Sequence, residues 1–191
     1  MSRNFILTAL ILIIAFTGCK PSRDKSVAEI QKMETSMYEQ QGFSFNKQKA
    51  DSLMMKFDEF ITRFPSDSLA PVYLFKAANL AIALGDGNKA LTLLDQFISG
   101  YPDHPKTPVC AFFKGYVYEN ILKDLVKARE SYMAYIQKYP NDVFVKDARM
   151  AIMNLGKTSD EIVREFEEQQ RRDSIRKADS VAALKPGKKR N

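Results

Sequence analysis

Apolar residues recur along this chain at helical spacing, in blocks that each close on a proline. Leu53, Met54, Phe57, Phe60, Ile61 and Phe64 fall at i, i+1, i+4, i+7, i+8 and i+11, and Ala90, Leu91, Leu94, Phe97, Ile98 and Tyr101 repeat that spacing. Ala128, Tyr132, Tyr135, Ile136 and Tyr139 follow the same pattern, with Leu125 one turn ahead of them. A stripe of this kind covers one face of a 3.6-residue helix. Pro65, Pro102 and Pro140 then stop each helix, because proline has no amide hydrogen and restricts the residue before it. Asp67/Ser68, Thr107-Pro108 and Asn141/Asp142 offer the next starts, and Gly85-Asp86-Gly87-Asn88 offers a tight turn. Ser26-Val-Ala-Glu29 and Thr158-Ser-Asp-Glu161 have the spacing of capping boxes. The pattern predicts eight helices, over 26–41, 46–63, 68–84, 87–99, 107–122, 124–138, 142–155 and 159–182, and an all-α fold.

The three prolines lie 37 and 38 residues apart, which points to an internal repeat. Phe75–Pro102 placed on Phe113–Pro140 gives nine identities in 28 positions, where composition alone predicts roughly two. Ala78, Ala81, Gly85, Ala90, Leu94 and Pro102 in one unit, with Gly115, Ala128, Tyr132 and Pro140 in the next, resemble the recurring small and large positions of the tetratricopeptide repeat (TPR) family. The resemblance covers residues 26–166 and implies a TPR-like superhelical stack of about eight antiparallel helices in three to four helix-pair repeats. The units are longer than the commonest TPR and end in "F-I-x-x-Y-P", which looks like the periplasmic TPR lipoproteins of the BamD type and the Tol–Pal-associated coordinator.

The amino terminus adds an address. Arg3 precedes an apolar run from Phe5 to Phe16, too short to span a bilayer, and Phe16-Thr17-Gly18-Cys19 then looks like the lipobox of bacterial lipoproteins. That likeness implies removal of residues 1–18, lipidation of Cys19, and a tether over 19–25. An ordinary signal peptide with a chance cysteine is the competing explanation. Surface-exported lipoproteins of some Bacteroidota carry acidic residues just after the cysteine; residues 20–24 hold a single acid, so the lipoprotein likeness implies the periplasmic face of the outer membrane. The chain of 191 residues is 45% hydrophobic and 27% charged, ordinary for a globular protein. Its net charge of +6 is concentrated in Lys185, Lys188, Lys189 and Arg190, so 185–191 reads as a disordered basic tail and 167–184 as a projecting polar helix.

Little in the sequence carries chemistry. It has no zinc spacing, Walker loop or nucleophile elbow, so no catalytic residue, metal or cofactor is expected, nor nucleic acid or a small-molecule substrate. With Cys19 lipidated, Cys110 is left without a disulfide partner. Cys110 reads as a small buried hydrophobe, and His104, six residues away, is the chain's one histidine. The TPR resemblance implies a groove lined by the first helix of each pair, which places Phe75, Asn79, Phe113, Val117 and Asn120 as partner-binding candidates; Phe75, Phe113 and Val117 also suit a core. The expectation is a lipid-anchored, non-enzymatic scaffold binding envelope proteins, with a β-barrel assembly complex as the most specific version. Binding of a ligand or of cell-wall polymer is the alternative.

Overall fold

The structure, a computed structural model, describes residues 21–38 and 46–183. Among them lie eight α-helices: α1 Arg23–Tyr38, α2 Lys47–Arg63, α3 Ala70–Ala83, α4 Gly87–Gly100, α5 Thr107–Tyr116, α6 Leu125–Lys138, α7 Val145–Asn154 and α8 Ser159–Ala183. A short π-helical turn, Val117–Ile121, prolongs α5. The architecture is the all-α, TPR-like stack of helix pairs expected from the repeat. It divides into two compact units at Cys110/Ala111, within α5. The leader 1–18, Cys19 and the tail 185–191 lie outside the described residues.

In the first unit α1, α2, α3 and α4 pack as successive neighbours. Helix α3 presents small residues, with Ala70, Ala77, Ala78 and Ala81 all buried, while α2 and α4 bring the bulk through Phe57, Phe60, Leu93, Leu94 and Phe97. Small residues on one helix let its neighbours approach closely enough for a dry core. Tyr73 of α3 stacks on Phe57 at 5.3 Å and takes Phe60 edge-on at 4.8 Å.

Helix α1 starts earlier than the sequence pattern indicated. Ser22, not Ser26, is the cap: its Oγ accepts from the Lys25 amide at 3.4 Å, and Ser26 is buried inside the helix. Glu29, expected to complete a capping box, pairs instead with Lys56 across to α2 at 3.2 Å. The early start is held from outside the helix. Arg23 grips Asp67 with two bonds, Nε to Oδ2 at 2.9 Å and Nη2 to Oδ1 at 3.3 Å, and Arg63 Nη2 donates to the Pro21 carbonyl at 2.6 Å. A two-pronged arginine–carboxylate contact fixes geometry as well as charge. It also holds the Asp67 carboxyl below its ordinary range, aided by the Leu69 amide.

The helices after Pro65 and Pro140 start later than expected, at Ala70 and Val145 rather than 68 and 142, while the one after Pro102 starts at Thr107 as expected. An intervening turn of fixed design explains the delay. Phe64, Tyr101 and Tyr139 each leave their helix at φ between −127 and −135 and ψ between 55 and 59, outside the α region that a following proline disfavours. Three residues on, the amides of Asp67, His104 and Asp142 return to the carbonyls of those aromatics at 3.0, 3.1 and 3.1 Å. The side chains of the same three residues then accept from the amide two positions further along. Asp67 Oδ1 takes Leu69 at 2.8 Å, His104 Nδ1 takes Lys106 at 3.1 Å and Asp142 Oδ1 takes Phe144 at 3.2 Å. One turn is thus written three times.

The second unit is built around α6. Ala128, Tyr132, Tyr135, Val145 and Ala148 form its buried cluster, flanked by Phe112, Phe144 and Ile152. Both buried tyrosines have partners for their hydroxyls: Tyr132 donates to Glu119 at 2.8 Å and Tyr135 donates to Asp142. Burial first, and these carboxylates second, push both phenols above their ordinary range. The expected capping box opens α8, with the Thr158 amide on Glu161 Oε2 at 2.7 Å and the Glu161 amide on Thr158 Oγ1 at 3.3 Å. The first apolar turns of α8 are more exposed than their sequence suggested, with Val163 56% and Phe166 63% accessible. Helix α7 has 10 residues where α3 has 14, so it offers about one turn less surface for a following helix to cover.

Gly115 is where the second unit depends on a missing side chain. A Cβ there would sit 2.4 Å from Cδ1 and Cε1 of Tyr132, whose counterpart in the first repeat is the slimmer Leu94. Gly115→Ala is therefore expected to destabilise the chain by about 1–3 kcal/mol. Adding Tyr132→Leu should return part of that loss, measured as non-additivity of urea-unfolding free energies.

Candidate functional site

The residues expected to line a partner surface sit on α3, at the end of α5 and on its π turn. Phe75 is half-buried, edge-on to Phe97 at 6.0 Å, with Lys106 Nζ over its other side at 4.6 Å from the ring centroid. Asn79 is also half-buried, one turn further along α3. Phe75 and Asn79 share a helix face, with Lys106 beside the aromatic.

The second set is arranged differently, and the reason is a single extra residue. Asp67 and Asp86 are 19 residues apart, but their counterparts His104 and Asp124 are 20 apart. The surplus residue is absorbed by the π turn, in which the Leu122 amide reaches the Val117 carbonyl at 3.0 Å, five residues back. Before the turn the two repeats align with an offset of 37; after it the offset is 38. Phe112, not Phe113, consequently occupies the position of Phe75. Its ring meets Tyr135 at 5.7 Å just as Phe75 meets Phe97, and it stacks on Phe144 at 5.2 Å. Phe113 is half-buried beside Tyr116, at 6.4 Å between ring centroids. Val117 is completely buried and offers no surface to a partner. Asn120 is exposed and folds back, donating Nδ2 to the Tyr116 carbonyl at 3.2 Å. The bulge was legible only as the unequal proline spacing.

Two residues beyond the π turn Lys123 stands at φ +57, where the first repeat has Gly85 at φ +72. Only glycine enters that left-handed region without steric cost, so the second repeat carries strain that the first avoids. Beyond both, Asp86 and Asp124 cap α4 and α6 identically, each accepting from the amide three residues on at 3.0 Å.

His104 and Cys110 have structural roles. Nδ1 of His104 stands where the other two turns have a carboxylate oxygen, and its ring meets Phe97 edge-on at 5.2 Å. An accepting Nδ1 requires the hydrogen of the neutral ring to be on Nε2. The Cys110 thiol is fully buried and desolvation pushes it up to about 12, the opposite of what a nucleophilic thiolate needs. No group of three or more His, Cys, Asp or Glu residues able to hold a metal ion occurs among the described residues. None of their helices is long and apolar enough to cross a membrane.

Two outcomes follow from these roles. His104→Ala should cost about 1 kcal/mol through the lost cap, whereas His104→Asp, which restores the acceptor of the sister turns, should retain most of the stability in thermal unfolding. Cys110 should resist iodoacetamide at neutral pH in the folded chain and react once urea unfolds it, as read by intact mass.

No curated protein matches the chain. The tetratricopeptide repeat family matches it twice, at residues 73–104 and 114–142. The first stretch takes in most of α3 with α4, and the second the end of α5, its π turn and α6; repeats of this family serve as protein-interaction scaffolds.

Proposed function

We propose that this chain is a lipid-anchored, non-catalytic scaffold of a bacterial cell envelope, held on the periplasmic face of the outer membrane. Its helix pairs collect protein partners there. The observation that carries this reading is the order of two features: a lipobox-like Phe16-Thr17-Gly18-Cys19 followed almost at once by a stack of helix pairs. Two TPR matches supply the binding half of the argument. The sealed Cys110 and the capping role of His104 remove the one thiol–imidazole pair that could have suggested a hydrolase. An anchor of several acyl chains, at ~0.8 kcal/mol per buried methylene, would keep the scaffold in the membrane plane and concentrate it near membrane partners. Work in β-barrel assembly is the most specific form, favoured by the long repeats ending in "F-I-x-x-Y-P".

The test compares the native chain with Cys19→Ala in a bacterial host. The native protein should carry acyl mass at its processed terminus and sediment with outer membranes, and Cys19→Ala should do neither. Crosslinking in cells should capture envelope proteins. A mature chain without fatty acid would remove the anchor, and capture of soluble metabolic enzymes alone would remove the scaffold.

A further inference from the structure

The first described residues of the chain do not hang free. Arg63 holds the Pro21 carbonyl at 2.6 Å, and Arg23 holds Asp67 at 2.9 Å, so the backbone is fastened from Pro21 onward to the turn between α2 and α3. The tether expected over residues 19–25 is therefore mostly part of the folded unit. Only Lys20 separates Cys19 from the fastened chain. From Cys19 to Pro21 a fully extended backbone spans at most about 7 Å.

Contacts along the helices say which end of the first unit this is. Helices α1 and α2 run antiparallel, with Pro21 beside Arg63 at one end and the Ser36 carbonyl accepting from Lys49 Nζ at 3.3 Å near the other. Helix α3 runs alongside α1, paired Asp67 to Arg23 at its start and Lys76 to Glu34 at 2.7 Å further on. The turns 64–69 and 101–106 therefore lie at the same end as Pro21, because α4 returns from the 84–86 turn to finish there. The opposite end, with Asn46 and the 84–88 turn, is a helix length away. Helix α1 has 16 residues, which is about 24 Å.

We propose that the end of the first unit formed by residues 21–25 and the turns 64–69 and 101–106 is a membrane-apposed face, pressed to the phospholipid headgroups by a lipidated Cys19. This rests on the lipoprotein reading of Cys19 given above. The short span leaves the first unit no freedom to turn this end away from the bilayer. Charge is compatible with the placement: Arg23 is engaged by Asp24 and Asp67, and residues 20–25 still contribute Lys20 and Lys25, basic residues near an anionic surface being attracted by about 1 kcal/mol each. The opposite end of the first unit is left to the periplasm. The anchor in this arrangement sets orientation as well as residence, a property a long flexible tether would not have.

The full-length, lipidated protein reconstituted in phosphatidylethanolamine–phosphatidylglycerol vesicles tests this. A thiol-reactive fluorophore is placed at exposed Ser66 (Ser66→Cys) or exposed Asn88 (Asn88→Cys), with buried Cys110 unreactive in both. Lipids carrying a nitroxide on the headgroup quench over short range only. The Ser66 reporter should be quenched several-fold more than the Asn88 reporter. Inserting a Gly/Ser linker of about 12 residues before Pro21, with an r.m.s. reach of roughly 20 Å, should abolish the difference. Equal quenching at both sites in a protein whose acyl mass is confirmed would overturn the orientation while leaving the anchor intact. A persistent difference in the linker variant would show that the tether does not set it, which also overturns the proposal. A chain with no acyl mass that fails to float with vesicles would overturn both readings together.

Discussion

Each time the chain passes from one helix pair to the next, an aromatic residue held out of the helical conformation by the proline after it hands the backbone to a side-chain acceptor three positions on. Phe64–Asp67, Tyr101–His104 and Tyr139–Asp142 make the same amide and carbonyl bonds and the same side-chain cap. Proline prevents the helix from running on, and the acceptor satisfies an amide that the next helix cannot. Everything else is arranged around this turn. The aromatic ring packs on the residue four before it, as in Phe60–Phe64, Phe97–Tyr101 and Tyr135–Tyr139, so the turn is tied into the core as well as into the backbone.

The chemistry of that acceptor differs among the three copies, and each difference connects the turn to something else. Asp67 has a second task, receiving Arg23 and so securing the start of the chain. Asp142 takes the Tyr135 hydroxyl, closing the core of the second unit over a buried phenol. His104 meets Phe97 edge-to-face and caps its turn through an imidazole nitrogen where the other two use a carboxylate oxygen. A repeat that looks uniform as backbone is therefore specialised at one side chain per turn. The specialisation at Asp67 places the amino terminus, and with it the proposed anchor.

The second repeat shows how such an architecture absorbs a change of length. An extra residue in the first helix of the pair could have rotated every later side chain by about 100° and taken the apolar stripe off the core. The π turn Val117–Ile121 confines the disturbance to five residues. The cost is visible around it: Lys123 in the left-handed region, and Gly115 stripped of a side chain to admit Tyr132. Phe112 then takes the place of Phe75, and Phe113 and Val117 leave the register that simple repeat alignment assigns them.

The amino-acid sequence by itself determined the helices, their order and their pairing, because those follow from apolar spacing, prolines and caps acting over a few residues. The stripes ending at Phe64, Tyr101 and Tyr139 and the capping box at Thr158–Glu161 are local signals of that kind. The lipobox-like run to Cys19 is readable in the same way. Tertiary structure decided what depends on residues distant in the chain. Ser22 rather than Ser26 begins α1 because Arg23 and Pro21 find partners some forty residues away at Asp67 and Arg63. His104 is a cap because a folded turn aims Nδ1 at an amide. Which of Phe112, Phe113 and Val117 meets the core goes with a helical bulge whose position no local propensity marks, and it is Phe112 that packs on Tyr132 and Tyr135 from the helix that contains it.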